Sequence, residues 1–331
     1  MIETIRTLVE SYGPSGSEEQ IRDLILSEID GLASDIQVDT LGNLIAWRKP
    51  DAATKNPVRI MLSAHMDEIG LIVTHIDADG YLRFTNIGGL RRSALIGNRV
   101  RFANGTIGAI NSQPIENEKI PKLASFYIDI DDANSASSIN VGDTAGFERD
   151  LIVRGQRLIA KSLDDRIGCA ILIETMRQLK KSPHEIVFVF SVQEEVGMRG
   201  ARAAAYAVQP DIGIAIDVTA TGDTPQSTPM AVSLGKGPAI KVKDGGMLAA
   251  PEVRDLLVKH ATAERIPHQM EVLIRGTTDA SAMQLVRAGI RAGALSIPCR
   301  YIHTSSETVD MSDVENSVKL LLRLLSRPIK L

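Results

Sequence analysis

Residues 58–68 read VRIMLSAHMDE, and residues 186–195 read IVFVFSVQEE. In both, an apolar run too short for a helix ends abruptly in charged and metal-ligating residue types. Runs without polar alternation form strands covered on both faces, as in a parallel sheet. Ile212–Ile216 and Ala294–Ile297 repeat the pattern, and helical periodicity marks Asp165–Lys180, Pro251–Arg265, Ala280–Ala288 and Asp313–Ser326. Near the N-terminus one helix carries Ile5, Leu8 and Val9 on a single face, and Ser15-Gly16-Ser17-Glu18 fits a capping box that opens a second. The fold class is therefore α/β, a mostly parallel central sheet flanked by helices.

Between Glu68 and Lys161 the pattern changes to short alternating segments: Leu71–Ile76, Tyr81–Ile87, Asn98–Phe102 and Thr106–Ile110. Asp79-Gly80, Gly88-Gly89 and Asn104-Gly105 punctuate them as turns. We expect a catalytic domain made of residues 1–67 and 162–331, with a β-rich domain, residues 68–161, inserted into it. The insert contains a charged loop, Glu116–Lys122, and an apolar run, Leu123–Ile130. It is expected to expose sheet edges or an apolar patch, features that mark interfaces.

A chain of 331 residues accommodates two domains of roughly 150 residues each. Its 44% apolar and 24% charged residues exclude disordered, collagen-like and coiled-coil classes. The balance of 37 Lys and Arg against 41 Asp and Glu, net −4, argues against a nucleic-acid partner. No run of 18 apolar residues occurs, which argues against a membrane span. Cys169 and Cys299 are the only cysteines and cannot form a disulfide framework. A cytoplasmic protein is expected.

In open α/β sheets ligands bind beyond the carboxyl ends of the strands. Five such ends carry ligand-type residues: His65-Met66-Asp67-Glu68, Leu163-Asp164-Asp165-Arg166, Gln193-Glu194-Glu195, Asp217, and Pro298-Cys299-Arg300-Tyr301-Ile302-His303. Singly, each has a plainer explanation. His65 and Asp67 would suit a capped turn, Glu194 and Glu195 a helix start, and Asp164, Asp165 or Asp217 an N-cap. Together they are explained by one site, because adjacent carboxylates at the end of a buried strand are costly unless a cation compensates them. Two histidines, three carboxylates and one free carboxylate are the minimum for two metals, a bridging ligand and a general base. Imidazole with carboxylate suits zinc, with cobalt or manganese as alternatives. Asp67, two residues after His65, is placed to fix the imidazole tautomer. His75, His184, His260 and His268 read as strand-edge, loop or helix-surface residues without a role.

The chain resembles the tetrahedral (TET) metallo-aminopeptidases, a family that includes glutamyl aminopeptidases and proteins labelled cellulase M or endoglucanase. The resemblance runs from Gly13-Pro14-Ser15-Gly16 to the last helix, through His65-Met66-Asp67-Glu68-Ile69-Gly70, Leu163-Asp164-Asp165-Arg166-Ile167-Gly168, Gln193-Glu194-Glu195-Val196-Gly197, Asp217-Val218-Thr219, Gly276-Thr277-Thr278-Asp279-Ala280 and Pro298 to His303. It implies that His65 and Asp217 bind one metal and Glu195 and His303 the other, with Asp164 bridging and Glu194 as general base. It also implies a β-barrel dimerisation domain, dimers assembling into a dodecamer, and short peptides as substrates. The chain departs from its relatives at Ser112–Lys122, which lacks their histidine-containing stretch, and at Thr304-Ser305-Ser306-Glu307. A di-metal deacylase or carboxypeptidase is the alternative reading, with an endoglucanase behind it. The preferred N-terminal residue and the roles of Asp279 and Glu307 stay open; the lean is to neutral aliphatic residues.

Overall fold

The computed structural model describes residues 1–51, 54–113, 120–130 and 138–329. Residues 116–119 of the charged loop Glu116–Lys122 lie outside them, as do residues 114–119 of the Ser112–Lys122 departure. Helices α1 (Ile2–Glu10) and α2 (Glu19–Glu28) precede β1 (Asp35–Val38), β2 (Leu44–Arg48) and β3 (Arg59–His65). Ile5, Leu8 and Val9 are buried as expected, but the capping box does not form. Ser15 Oγ instead donates to Asp67 Oδ2 at 2.6 Å, and Glu18 accepts from the amides of Gly16 and Gln193. The polar residues before α2 are committed to a distant strand end rather than to their own helix.

Six strands follow: β4 (Gly70–Ile76), β5 (Leu82–Ile87), β6 (Arg99–Phe102), β7 (Ile107–Ser112), β8 (Phe126–Asp129) and β9 (Thr144–Phe147). They close into a barrel in the order β4-β5-β8-β7-β6-β9. The expectation of exposed sheet edges is thereby corrected, since closure removes them. Alternation explains the packing: Leu71, Val73, Leu82, Phe84, Val100, Phe102, Phe126 and Ile128 point into the barrel core. Ile96, Ile107, Ile120 and Val141 remain on the outside.

The chain returns through β10 (Ile152–Arg154) and β11 (Arg157–Ala160), then continues as α3 (Leu163–Gln178), β12 (Glu185–Ser191), α4 (Arg199–Val208), β13 (Ile212–Thr219), β14 (Ala239–Lys243), α5 (Pro251–Ala263), β15 (Gln269–Val272), α6 (Asp279–Gln284), β16 (Arg291–Pro298), β17 (Glu307–Asp310) and α7 (Met311–Leu325). β10, β11 and β17 make a small antiparallel sheet. The large sheet has the order β1-β2-β12-β3-β13-β16-β14-β15. Its central strands β12, β3, β13 and β16 are mutually parallel, while β1, β2 and the β16–β14 pair are antiparallel. The edge strands and α4 were not legible as apolar runs.

The central strands have two unlike faces. Ile186, Phe188, Phe190, Leu62, Ile214 and Leu295 pack with α1, α2, α3, α5 and α7 in the main core. The opposite face carries Val187, Val189, Ala215, Ala292 and Ala294, small enough for α4, with Ala204 and Ala205, and α6, with Ala280 and Met283, to lie close. His184 and His260, expected at the surface, are buried; His184 Nε2 lies 2.8 Å from Arg327 O.

The two crossings between sheet and barrel are pinned to each other by buried charge. Lys161 Nζ donates to Glu68 Oε2 at 2.7 Å and to Ser11 O at 2.9 Å. Ser162 Oγ also meets Glu68 Oε2, Gly13 N donates to Glu68 Oε1 at 3.0 Å, and the buried Arg166 stands 3.8 Å away. Burial disfavours the Lys161 ammonium and lowers its pKa, and the neighbouring Glu68 opposes that shift. Removing one member leaves the other charge uncompensated. Lys161→Met should cost about 3 kcal/mol in urea unfolding, with Glu68→Gln in the same chain recovering at least half; a single-variant loss under about 1 kcal/mol would contradict this.

Candidate active site

The parallel strands deliver their carboxyl ends to one edge of the sheet. Ser191 of β12 is in register with His65 of β3, and Ala215 of β13 with Ser63, so Asp217 stands beside His65. Asp217 lies within β13, which runs to Thr219, rather than just past its end. His65 Nε2 is 3.0 Å from Asp164 Oδ1 and 3.9 Å from Asp217 Oδ1. His303 Nε2 is 3.4 Å from Asp164 Oδ2 and 3.2 Å from Glu195 Oε2. Asp164 thus offers one oxygen to each imidazole, and Glu194 Oε2 comes within 4.0 Å of His65. His65, Asp164, Glu194, Glu195, Asp217 and His303 converge here.

Neighbouring acids divide the work. At the start of α3, Asp164 and Asp165 have non-helical backbone angles, preceded by Ser162 at φ 56°. Asp165 accepts from the amides of His65 (3.2 Å) and Gly168 (3.1 Å), whereas the Asp164 carboxylate faces both imidazoles. Asp67 departs from the expected arrangement. His65 Nδ1 lies nearer its backbone carbonyl (3.1 Å) than its carboxylate (3.5 Å). The carboxylate accepts from the amides of Glu194 (3.0 Å) and Glu195 (3.2 Å), so it fixes the loop carrying the two glutamates.

Glu307 and Asp279, left open by the sequence, are assigned by their contacts. Glu307 is buried and accepts from the amides of Asp164 (2.9 Å) and His303 (2.8 Å) through its two oxygens. Asp279 Oδ2 accepts from Ser63 (2.6 Å) and Ser191 (2.5 Å), tying β3 to β12 two and three residues before His65 and Glu194. A further contribution comes from the barrel. A Cβ on Gly89 would lie 2.6 Å from His303 Nδ1, and one on Gly88 3.0 Å from Glu195 Oε2. In the sequence Gly88-Gly89 is a turn signal, with nothing to indicate what packs on it.

The electrostatics call for a cation. Burial raises the pKa values of Glu194, Glu195, Asp165 and Asp217, and like charges add to this. Burial opposes the charged imidazoles, but hydrogen bonds to Asp164 and Asp67 raise His65, and those to Asp164 and Glu195 raise His303 to about 11. Asp164 is lowered below the usual carboxylate range, its burial outweighed by the two histidines. Glu195 Oε1 is buried without a hydrogen-bond partner among the described residues. Donor atoms of His65, Asp164 and Glu195 lie within 4.8 Å of one another, as do those of His65, Asp165 and Asp217. Such a donor set fits a divalent metal, which satisfies the orphan oxygen and removes the repulsion among the acids.

A cavity of about 490 Å³ opens beside these groups, lined among others by Val218, Thr219, Lys241, Leu273, Arg275 and Arg91. Arg275 lines this cavity, whereas Arg291 lines a different one with Pro210 and Gly289. Nothing in the sequence announces Lys241, because β14 is short and carries no continuous apolar run.

Comparison with known proteins places this chain among the aminopeptidases, which hydrolyse peptide bonds. A family model described as M42 glutamyl aminopeptidase matches residues 42–320, and the chain belongs to that family. The lysyl aminopeptidase of Pyrococcus furiosus is 38% identical, over 98% of this chain and 96% of that protein. Aminopeptidase APDkam598 from the archaeon Desulfurococcus kamchatkensis superposes with a TM-score of 0.94 at 37% identity, covering 98% of this chain and 94% of that one. The TET1 peptidase of Pyrococcus horikoshii, described as able to assemble into a tetrahedron or a large octahedral shell, gives a TM-score of 0.86 at 32% identity and 99% coverage of both chains.

The glycine contact yields a direct test. Gly89→Ala should push the His303 ring aside and lower kcat/KM about 10–100-fold, since a misplacement near 1 Å costs up to about 10². Wild-type kinetics in that variant, read on an amino-acid p-nitroanilide, would show that the barrel loop does not set the His303 position.

Proposed function

We propose that this chain removes the N-terminal residue from short peptides at a two-metal centre. His65 and Asp217 would hold one divalent ion, Glu195 and His303 the other, with Asp164 shared between them. The observation that carries this reading is the placement of the two Asp164 oxygens, one toward each imidazole. Zinc suits imidazole and carboxylate donors best, with cobalt or manganese as substitutes. When bound, the ions supply Lewis acidity toward the scissile carbonyl and toward the attacking water.

The chain's own residues do the rest. Glu194 is the general base: it takes the proton of the attacking water and delivers it to the leaving amine. Its burial, which holds its pKa up, suits a group that must both accept and return a proton. Asp67 positions Glu194 and Glu195 through their amides, and Glu307 positions Asp164 and His303 in the same way.

The same reading extends to architecture. Residues 1–67 and 162–331 form the catalytic domain, and residues 68–161 the inserted domain that pairs two chains. Pairs would assemble into a dodecamer with the sites facing an internal chamber, which admits short peptides and excludes folded proteins. The described assembly of the Pyrococcus horikoshii relative supports a shell of this kind. The two unpaired, buried cysteines suit a cytoplasmic setting.

Elemental analysis of the active enzyme should return two divalent ions per chain, with activity lost on chelation and restored by zinc or cobalt; one ion in fully active enzyme would refute the pair. Glu194→Gln should retain both ions while turnover falls about 10²–10⁴-fold, and near-normal turnover would mean that Glu194 and Glu195 exchange roles. Light scattering should give a mass near twelve chains. A fully active monomer would remove the chamber.

A further inference from the structure

The cavity beside the acid cluster has two unlike ends. Toward Asp217 its floor is buried: Val218, Thr219 and Lys241 are covered, the Lys241 ammonium lies 3.0 Å from Glu271 Oε1 and 3.5 Å from Asp244 Oδ2, and the exposed Ala220, Arg275 and Gly276 form the rim. Arg275 belongs to this end, because its loop packs on the turn after β14 through Leu273 N to Lys243 O and the Gly245–Gly276 contact. Toward His303 the cavity is open. The His303 side chain retains 31% exposure, and the wall there is the barrel loop with Gly89 and Arg91, both exposed.

Arg91 is held at that opening by its neighbours rather than by its own contacts. Gly88 and Gly89 lie against Glu195 and His303, Asn86 Nδ2 donates to Gly88 O at 2.7 Å, and Arg92 donates to Pro121 O at 3.0 Å. The Arg91 guanidinium itself makes no hydrogen bond or ion pair among the described residues. A solvated fork of donors, free of protein partners among the described residues, thus stands at the open end of the cavity.

A peptide cut at its first bond places one side chain over the buried floor and sends the remainder toward the open end. The remainder of a short free peptide carries one obligatory charge, its C-terminal carboxylate, within about 3.5 Å of chain per residue of the cleaved bond. A guanidinium meets a carboxylate with two parallel N–H donors. We propose that Arg91 binds the C-terminal carboxylate of di- and tripeptides, so that the enzyme selects short free peptides by their terminal charge. This rests on the aminopeptidase reading above and gives a role in substrate choice to the barrel segment.

The test compares kcat/KM of the zinc-loaded enzyme for Leu-Gly-Gly, for its C-terminal amide and for leucine p-nitroanilide. The free acid should exceed the amide by about tenfold, mostly through KM, as expected for one exposed charge-assisted contact. In Arg91→Gln the acid-to-amide ratio should fall to within about twofold of unity, and Arg91→Lys, which keeps the charge without the fork, should lie between. Arg275→Gln should keep the wild-type ratio. A wild-type ratio near one, or a ratio unchanged in Arg91→Gln, overturns the proposal. Absence of turnover on all three substrates and on the glutamyl and lysyl p-nitroanilides would remove the aminopeptidase reading and this inference with it.

Discussion

The structure turns on one electrostatic constraint: eight acidic side chains crowd around two imidazoles at one edge of a buried sheet. They are tolerated because they form two sets with different partners. Asp67, Asp165, Asp279 and Glu307 accept from amides and hydroxyls: Asp67 from Glu194, Glu195 and Ser15, Asp165 from His65 and Gly168, Asp279 through Oδ2 from Ser63 and Ser191 while its buried Oδ1 has no partner among the described residues, and Glu307 from Asp164 and His303. Those donors belong largely to the residues that carry the inner groups, or to their near neighbours. Asp164, Glu194, Glu195 and Asp217 line the cavity itself. The outer acids hold the backbone from which the inner ones project, and the inner set is left for a cation to neutralise.

The barrel is coupled to this arrangement twice. At its base, Glu68 and Lys161 join the strand that has just delivered His65 and Asp67 to the segment about to deliver Asp164. At its rim, Gly88 and Gly89 touch Glu195 and His303. Backbone alone occupies that contact, because a side chain at either position would displace an inner group. The inserted segment therefore shapes the catalytic edge as well as presenting its outer surface.

Much of this was legible in the sequence because a buried parallel strand leaves little freedom. The apolar runs before His65, Gln193 and Asp217 mark strand interiors, and whatever follows them must meet at one sheet edge. His65, Glu194, Glu195 and Asp217 could be found in this way, and so could Asp67 and the Asp164-Asp165 pair, although the choice of Asp164 as the shared ligand came from the resemblance. Glu307 and Asp279 could not, since they hold groups brought together by the fold and look locally like an edge-strand residue and a helix N-terminus. The failed capping box at Ser15–Glu18 has the same origin: a local motif gave way to a long-range contact with Asp67. Strands β14 and β15, with Lys241 and Glu271, were silent because both are short and interrupted by charged residues, so neither offers a continuous apolar run.

The central claim is that the inner acids and both histidines form one two-metal site with Asp164 shared. Anomalous diffraction from crystals of the zinc-loaded protein tests it most directly. The account predicts two peaks per chain, one ligated by His65 and Asp217, the other by Glu195 and His303, with Asp164 touching both. A single peak, or two peaks that do not share Asp164, would contradict it.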